Sequence, residues 1–453
     1  MKISRRDAMR LFAGSVPAYY ANHALASATN ESATKPAEQK SLKDAYKDIF
    51  LIGTAGDLPG GFNETELANV AKHYDIVTPE NCMKPDSVQH IEGNFTFEKP
   101  DALVEWCKQN GLKVWGHTLC WHNQTPQWFF QGTREEGLAR LQKHIETIVG
   151  RYEGKLLGWD VVNEAIADSG DDSTENLRNT TWYSLVGNDV LNKAFEWAHK
   201  TDPKAILYYN DYNIEQDAAD DKGKHPSSLL LLKRLLDEGA PINGVGIQGH
   251  WQLDTRLDNI EKAIENYKAL GLQIAVTELD VTITGSNTGA FGNSGGGFGG
   301  GARRGGTRRG SGENATPPTN QPGAMAPQNR TFSLAAFEGG ASGEQGAAGA
   351  RRGGGMGFGG GGFGGFGGFG GFGGGAANMD PEELAKLYEQ QAEVYTKLFK
   401  IFKKNSDVIK RVTFWGINDP RSWKRGQNPL LFDGDMKSKP AFDAVLNVGL
   451  GKS

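Results

Sequence analysis

Short apolar runs recur along the chain, and each is followed by a stretch whose apolar positions repeat with a helical period. The runs fall at residues 49–55, 76–79, 113–119, 158–162, 205–209, 245–247, 273–277 and 411–417. The helical stretches fall at 64–73, 101–110, 136–152, 186–200, 227–238, 259–270 and 381–404, with a last short one at 440–448. A repeat near 3.6 marks the second kind, and brief unbroken apolarity marks the first. Strands apolar on both faces and joined by helix-length crossovers call for a parallel sheet. Eight such units predict an α/β fold of the closed (β/α)8 barrel type, with a doubly wound open sheet as the competing architecture.

The position of polar side chains separates the two architectures. Nearly every run ends, on its C-terminal side, in groups that are costly to bury unpaired: Glu80 and Asn81, His117 and His122, Asn163 and Glu164, Asn210 and Asp211, Gln248 and His250, Glu278 and Asp280, Trp415 and Asn418. An open sheet would spread them along a line. A barrel collects them into one pit at its top face, where enzymes of this architecture keep their chemistry.

Two segments do not share the pattern. Residues 1–28 carry Lys2, Arg5, Arg6 and Arg10, then a mostly apolar stretch, then small residues around Ala26 and Ala28, the layout of an export signal. Arg5-Arg6 after Ser4 gives it a twin-arginine look. Residues 29–40 read as a linker. Residues 285–378 hold glycine runs punctuated by Phe358, Phe363, Phe366, Phe369 and Phe372, with paired arginines beside them. Glycine has nothing to bury and loses the most entropy on ordering, so this insertion is expected to remain a disordered excursion. The remaining residues, 41–284 and 379–450, are expected to form one (β/α)8 domain, which would be the catalytic one. The insertion carries seven Arg against three Glu, whereas the whole chain is at −5. That balance argues against a protein built to grip nucleic acid along its surface. Three scattered cysteines, Cys82, Cys107 and Cys120, read as buried thiols. No run reaches the roughly 18 apolar residues of a membrane span.

The pit would hold Glu80, Glu164 and Glu278 near its centre, with no cysteine in a ligand spacing and no paired-histidine zinc motif, so neither a metal nor another cofactor is expected. Cleavage of a glycosidic bond needs what is there. One carboxylic acid protonates the leaving oxygen, a second stabilises or attacks the anomeric carbon, and flat indoles and amides hold the sugar.

Seven motifs then point to a known family. PENCMKPDSVQ (79–89), VWGHTLCWHNQTPQW (114–128), WDVVNEA (159–165), YYNDYN (208–213), GIQGHW (246–251), TELDV (277–281) and FWGINDPRSW (414–423) follow one another in an order that resembles glycoside hydrolase family 10, mainly secreted endo-1,4-β-xylanases on a (β/α)8 barrel. The resemblance runs from Ser41 to about Val448, except for 285–378. It implies Glu164 as general acid/base and Glu278 as nucleophile of a retaining enzyme, their carboxyls about 5 to 5.5 Å apart. It implies His250 as the group orienting the nucleophile, Asn163 as the reader of the sugar 2-hydroxyl, and Glu80, Asn81, Lys84, His117, Trp121 and Gln124 as glycone-side ligands. Asn210, Tyr212 and Gln248 would line the cleft further along, with Trp415 and Trp423 as aromatic wall and lid. The implied partner is xylan or a xylooligosaccharide, the protein a monomer, and its place secreted or periplasmic. Another β-1,4-glycan as substrate, or a catalytically weak xylan-binding protein, are the alternatives. The insertion starts at Gly285, in the loop after the seventh run, where it is expected to change access of long or decorated chains or to anchor the enzyme to a surface.

Overall fold

The computed structural model describes residues 40–284 and 379–452. The export signal, nearly all of the linker and the glycine-rich insertion of the preceding section lie outside the described residues.

Among the described residues nine strands, all paired in parallel, carry the architecture: β1 Leu51–Ala55, β2 Ile76–Thr78, β3 Lys113–Trp121, β4 Gly158–Asn163, β5 Ile206–Asp211, β6 Gly244–Ile247, β7 His250–Gln252, β8 Gln273–Thr282 and β9 Ile409–Phe414. They neighbour one another in the order β6-β5-β4-β3-β2-β1-β9-β8, and β6 also pairs with β8, which closes the ring. The short β7 resumes the course of β6 after Gln248 and Gly249 and pairs with the upper end of β8, so eight strand positions make the barrel. The closed (β/α)8 barrel expected from the run-and-helix pattern is therefore the fold.

Alternation along each strand decides which side chains meet inside. Val77, Val114, Leu207, Tyr209, Ile274 and Val276 belong to the main core between strands and helices, whereas Ile76, Trp115, Tyr208 and Ala275 form a separate small cluster within the ring. With a period of two, this sends His117, Asn210 and Thr277 inward one step higher. The helices outside cover the outer faces, and two of them begin in reciprocal caps. Asn63 and Glu66 close a reciprocal cap on the helix Glu64–His73, and Thr133 with Glu136 does so for Arg134–Arg151. The expected helix 186–200 begins later, at Val190, because Gly187, at φ 79°, ends a separate short helix Thr181–Val186. No helix among the described residues is long and apolar enough to cross a membrane.

One close approach underlies the pit. A Cβ on Gly116 would lie 2.0 Å from the ring of Trp159, a side chain that is 1% exposed. The missing side chain lets the indole pack against the outer face of β3, at the residue before the inward-facing His117. Gly116→Ala is expected to destabilise the fold by about 3 kcal/mol, since neither the backbone nor a buried indole can give way cheaply. A chemical-denaturation midpoint indistinguishable from that of the parent would contradict this.

Candidate active site

Two extra residues in the strands aim the carboxylates. From Val276 to Leu279 β8 advances three residues while β9 advances two, from Val412 to Phe414, and its register against β6 and β7 slips by one over the same stretch. Val276 and Leu279 both face the outer core. Thr277 and Glu278 consequently both turn inward, and both meet Asn210: Thr277 Oγ1 donates to its Oδ1 at 2.6 Å, and Asn210 Nδ2 donates to Glu278 Oε1 at 2.8 Å. Strand β4 repeats the device. It carries one residue more than β5 between Asp160 and Val162, which places Val161 and Val162 outward and leaves Asp160 and Asn163 in the pit.

Glu278 is 5% exposed. Burial by itself would raise its pKa, but a hydrogen bond from His250, the electrostatic pull of His117 and His250, and the Asn210 amide hold the carboxyl below its ordinary value. His250 Nε2 lies 3.3 Å from Glu278 Oε2, and its Nδ1 lies 2.9 Å from Asp280 Oδ2. Burial disfavours the imidazolium, yet the two carboxylates outweigh it and raise the pKa to about 9. At neutral pH this is an imidazolium clamped between two anions.

That clamp has a pH signature. The folded-state pKa of about 9 exceeds the ordinary 6.5, so the clamp contributes stability that is complete below about pH 6.5 and fades as pH rises through about 9. Thermal midpoints of the parent are expected to fall over that window. Asp280→Asn removes the largest influence raising His250 and should give a lower, flatter profile. Superimposable profiles would refute the assignment.

Glu164 follows β4 with φ 57°, in the left-handed region that non-glycine residues seldom occupy. Its carboxylate is held at both oxygens, with Trp121 Nε1 donating to Oε2 at 2.8 Å and Gln248 Nε2 to Oε1 at 3.1 Å. The Asn163 amide meets that of Asn210 at 2.9 Å, so Gln248, Asn163 and Asn210 form a continuous row of amides between Glu164 and Glu278.

The other expected residues surround this pair unevenly. Lys84 Nζ bonds Asn81 Oδ1 at 3.1 Å and lies 5.0 Å from the Trp121 ring centre, while burial pulls its pKa down against the opposing influence of Glu278 and Glu80. Glu80 has its carboxyl pushed up by burial and then by Asp57. His117 Nδ1 sits 3.0 Å from Asp160 Oδ2, with its ring edge-on to the buried Trp415. Trp423 is half exposed; its Nε1 donates to Asp280 Oδ2 at 2.9 Å and its ring stands against His250 at 4.9 Å. Gln124 is exposed, on a turn at φ 46° whose carbonyl accepts from Asp86 N. Tyr212 turns to a different set, receiving a hydrogen bond from Arg178 Nη2 at 2.9 Å and donating to Asp168. Cys82, Cys107 and Cys120 are buried free thiols.

Asp160, Arg178 and Asp57 were not singled out by the sequence reading. Asp160 also accepts from Trp115 Nε1 at 2.8 Å, and Asp57 Oδ1 caps the amides of Asn81 and Cys82. An acid in the middle of the run 158–162 was a usable signal for Asp160; nothing local marked the other two. Among the described residues no group of three or more His, Cys, Asp or Glu side chains is placed to hold a metal ion. His122 lies near Arg178 and Asp211, where burial and then Arg178 push it down to about 4.

A closed (β/α)8 barrel whose pit presents two carboxylates on a row of amides, with indoles at its sides, is the apparatus of a glycoside hydrolase. The profile of Glycosyl hydrolase family 10 matches residues 41–295 and 377–448. A beta-1,4-xylanase of Dictyoglomus thermophilum is 33% identical over 416 residues, 90% of this chain and 91% of that protein. An exoglucanase of Acetivibrio thermocellus is 32% identical over 434 residues, 92% of this chain but only 30% of that longer protein. Among solved structures, a variant of an intracellular xylanase from Thermoanaerobacterium saccharolyticum, in complex with xylotetraose, matches with a TM-score of 0.64 at 30% identity, covering 90% of this chain and 98% of that one. The chain belongs to glycosyl hydrolase family 10.

Proposed function

We propose that the protein is an exported endo-1,4-β-xylanase that cleaves internal β-1,4 bonds of xylan with retention. Glu164 gives its proton to the glycosidic oxygen as the bond to the anomeric carbon breaks. Glu278 forms a bond to that carbon from the opposite face, producing a glycosyl ester. A water molecule, deprotonated by Glu164, then displaces Glu278 and regenerates both groups. The observation that carries this reading is the contrast between two carboxyls joined by one row of amides. Glu278 is held as an anion by the His250 imidazolium and Asn210, as a nucleophile must be, whereas Glu164 lies against an indole and a neutral amide. Glu80, Asn81, Lys84, His117, Trp121 and Gln124 would take the glycone, Asn163 the 2-hydroxyl, and Trp415 and Trp423 the flat faces of the sugars. Product analysis on glucuronoxylan, arabinoxylan and carboxymethyl cellulose side by side tests the substrate: xylooligosaccharides released from internal positions of the first two are expected. Release from carboxymethyl cellulose instead would favour another β-1,4-glycan, the reading that the exoglucanase relative keeps in play.

Export rests on the sequence of residues 1–28. Protein recovered outside the cytoplasm is expected to begin after Ala26 or Ala28. An intact Met1 on material retained inside the cell would overturn it.

A further inference from the structure

The left-handed turn that presents Glu164 is fully wired. Three successive amides of the turn all reach β5: Glu164 N donates to Asn210 O at 2.9 Å, Ala165 N to Tyr209 Oη at 3.2 Å and Ile166 N to Asp211 Oδ2 at 3.4 Å. The three carbonyls of the same residues all face one side chain and its backbone. Arg178 Nε donates to Glu164 O at 3.3 Å, Arg178 N to Ala165 O at 2.7 Å and Arg178 Nη2 to Ile166 O at 3.0 Å. The guanidinium is itself fixed, forked onto Asp168 at 3.0 and 3.1 Å and bonded to Tyr212 Oη. Lys224 Nζ, 2.6 Å from Asp211 Oδ1, supplies the cation that lets the buried Asp211 serve on the amide side.

We propose that Arg178 is a positioning residue for proton donation: it holds the 164–166 turn in its left-handed form, and thereby keeps the Glu164 carboxyl against Trp121 and Gln248. The physical reason is local. A non-glycine residue in this region is disfavoured and persists only where the surroundings over-determine it. The β5 partners fix only the amide side of the peptide planes; without Arg178 two of the carbonyls lose their donor from its side chain and the planes are free to rotate. A lysine could keep the charge but serve one carbonyl, because only the planar guanidinium presents several donors in fixed directions.

The proposal rests on Glu164 as the proton donor, and its test separates the two claims. Arg178→Met, Arg178→Lys and Asp168→Asn are compared with Glu164→Ala in the full-length enzyme, using kcat/KM on xylan and on an aryl xylobioside with a good leaving group, together with a crystal structure of Arg178→Met. Loss of a positioned acid should cost about 100-fold on xylan and no more than a few-fold on the activated substrate, since only the poor leaving group needs the proton. Arg178→Lys should fall between. Asp168→Asn, which frees the fork while keeping its shape, should show the same split at smaller size and serves if Arg178→Met does not fold. In the crystal the Glu164 carboxyl should have left Trp121 and Gln248. Equal losses on the two substrates, or a Glu164 that keeps its conformation and both contacts, would overturn the role of Arg178. If Glu164→Ala itself shows no split, the assignment of the donor fails, while the crystal structure still decides what Arg178 holds.

Discussion

Glu278→Ala is expected to abolish turnover on every substrate, with kcat/KM falling by about 10⁴-fold or more on both xylan and an activated aryl xylobioside. The methyl group left behind cannot bond the anomeric carbon, and the neighbouring His250 cannot replace it, being already committed to Asp280 at 2.9 Å. Leaving-group quality does not matter to this loss, because the missing bond is needed whatever departs. Folding should survive, with a thermal midpoint below that of the parent at neutral pH, since one anion of the clamp is lost and the other remains. Residual activity within about 100-fold of the parent on either substrate would remove Glu278 from the role of nucleophile.

Glu164→Ala has a different signature. On xylan kcat/KM is expected to drop by about 10³-fold, because the departing sugar hydroxyl is a poor leaving group and needs the proton as the bond breaks. On an aryl xylobioside whose phenol leaves unaided, the same quantity should change only a few-fold. The glycosyl ester on Glu278 then accumulates, as the water that would release it has lost its base. Added azide, a nucleophile that needs no deprotonation, should restore turnover of the activated substrate and yield a glycosyl azide of retained configuration. Equal loss on both substrates, with no effect of azide, would assign the proton to another group.

The barrel was legible because its signals are repetitive. Apolar runs such as 76–79 and 273–277, each trailed by an amphipathic stretch, lie where β2 and β8 form, and the helices Glu64–His73 and Pro381–Lys404 have the bounds read from the sequence. The site was legible as a set of rim residues but not as an arrangement. Strict alternation from Ala275 puts Thr277 inside and Glu278 outside; the additional residue in β8 turns both inward, and nothing in TELDV declares it. Strand β8 also runs on to Thr282, and β3 to Trp121, beyond the expected ends at 277 and 119, since these upper residues find partners on neighbouring strands that periodicity does not reveal. Arg178 was invisible for a related reason. Its partners are main-chain carbonyls, which every residue type provides, so no pattern of side chains announces the contact.

The upper end of β8 carries one further implication. Past Glu278 the strand stays bound on both sides: Gln252 stands opposite Thr282, Val281 N donates to Pro429 O at 3.2 Å, Ile283 N to Gln427 O at 3.0 Å, and Gln391 Nε2 to Val281 O at 2.6 Å. On the return, Asp380 caps the helix Pro381–Lys404 through the amides of Glu382 and Glu383. The two ends of the interruption are thus tied to one another as well as to the scaffold, since Gln391, on the helix that follows it, binds the strand that precedes it. Evolution could lengthen the chain here without disturbing the chemistry a few residues upstream, and the same place offers protein engineers a port at which cargo modules could be grafted.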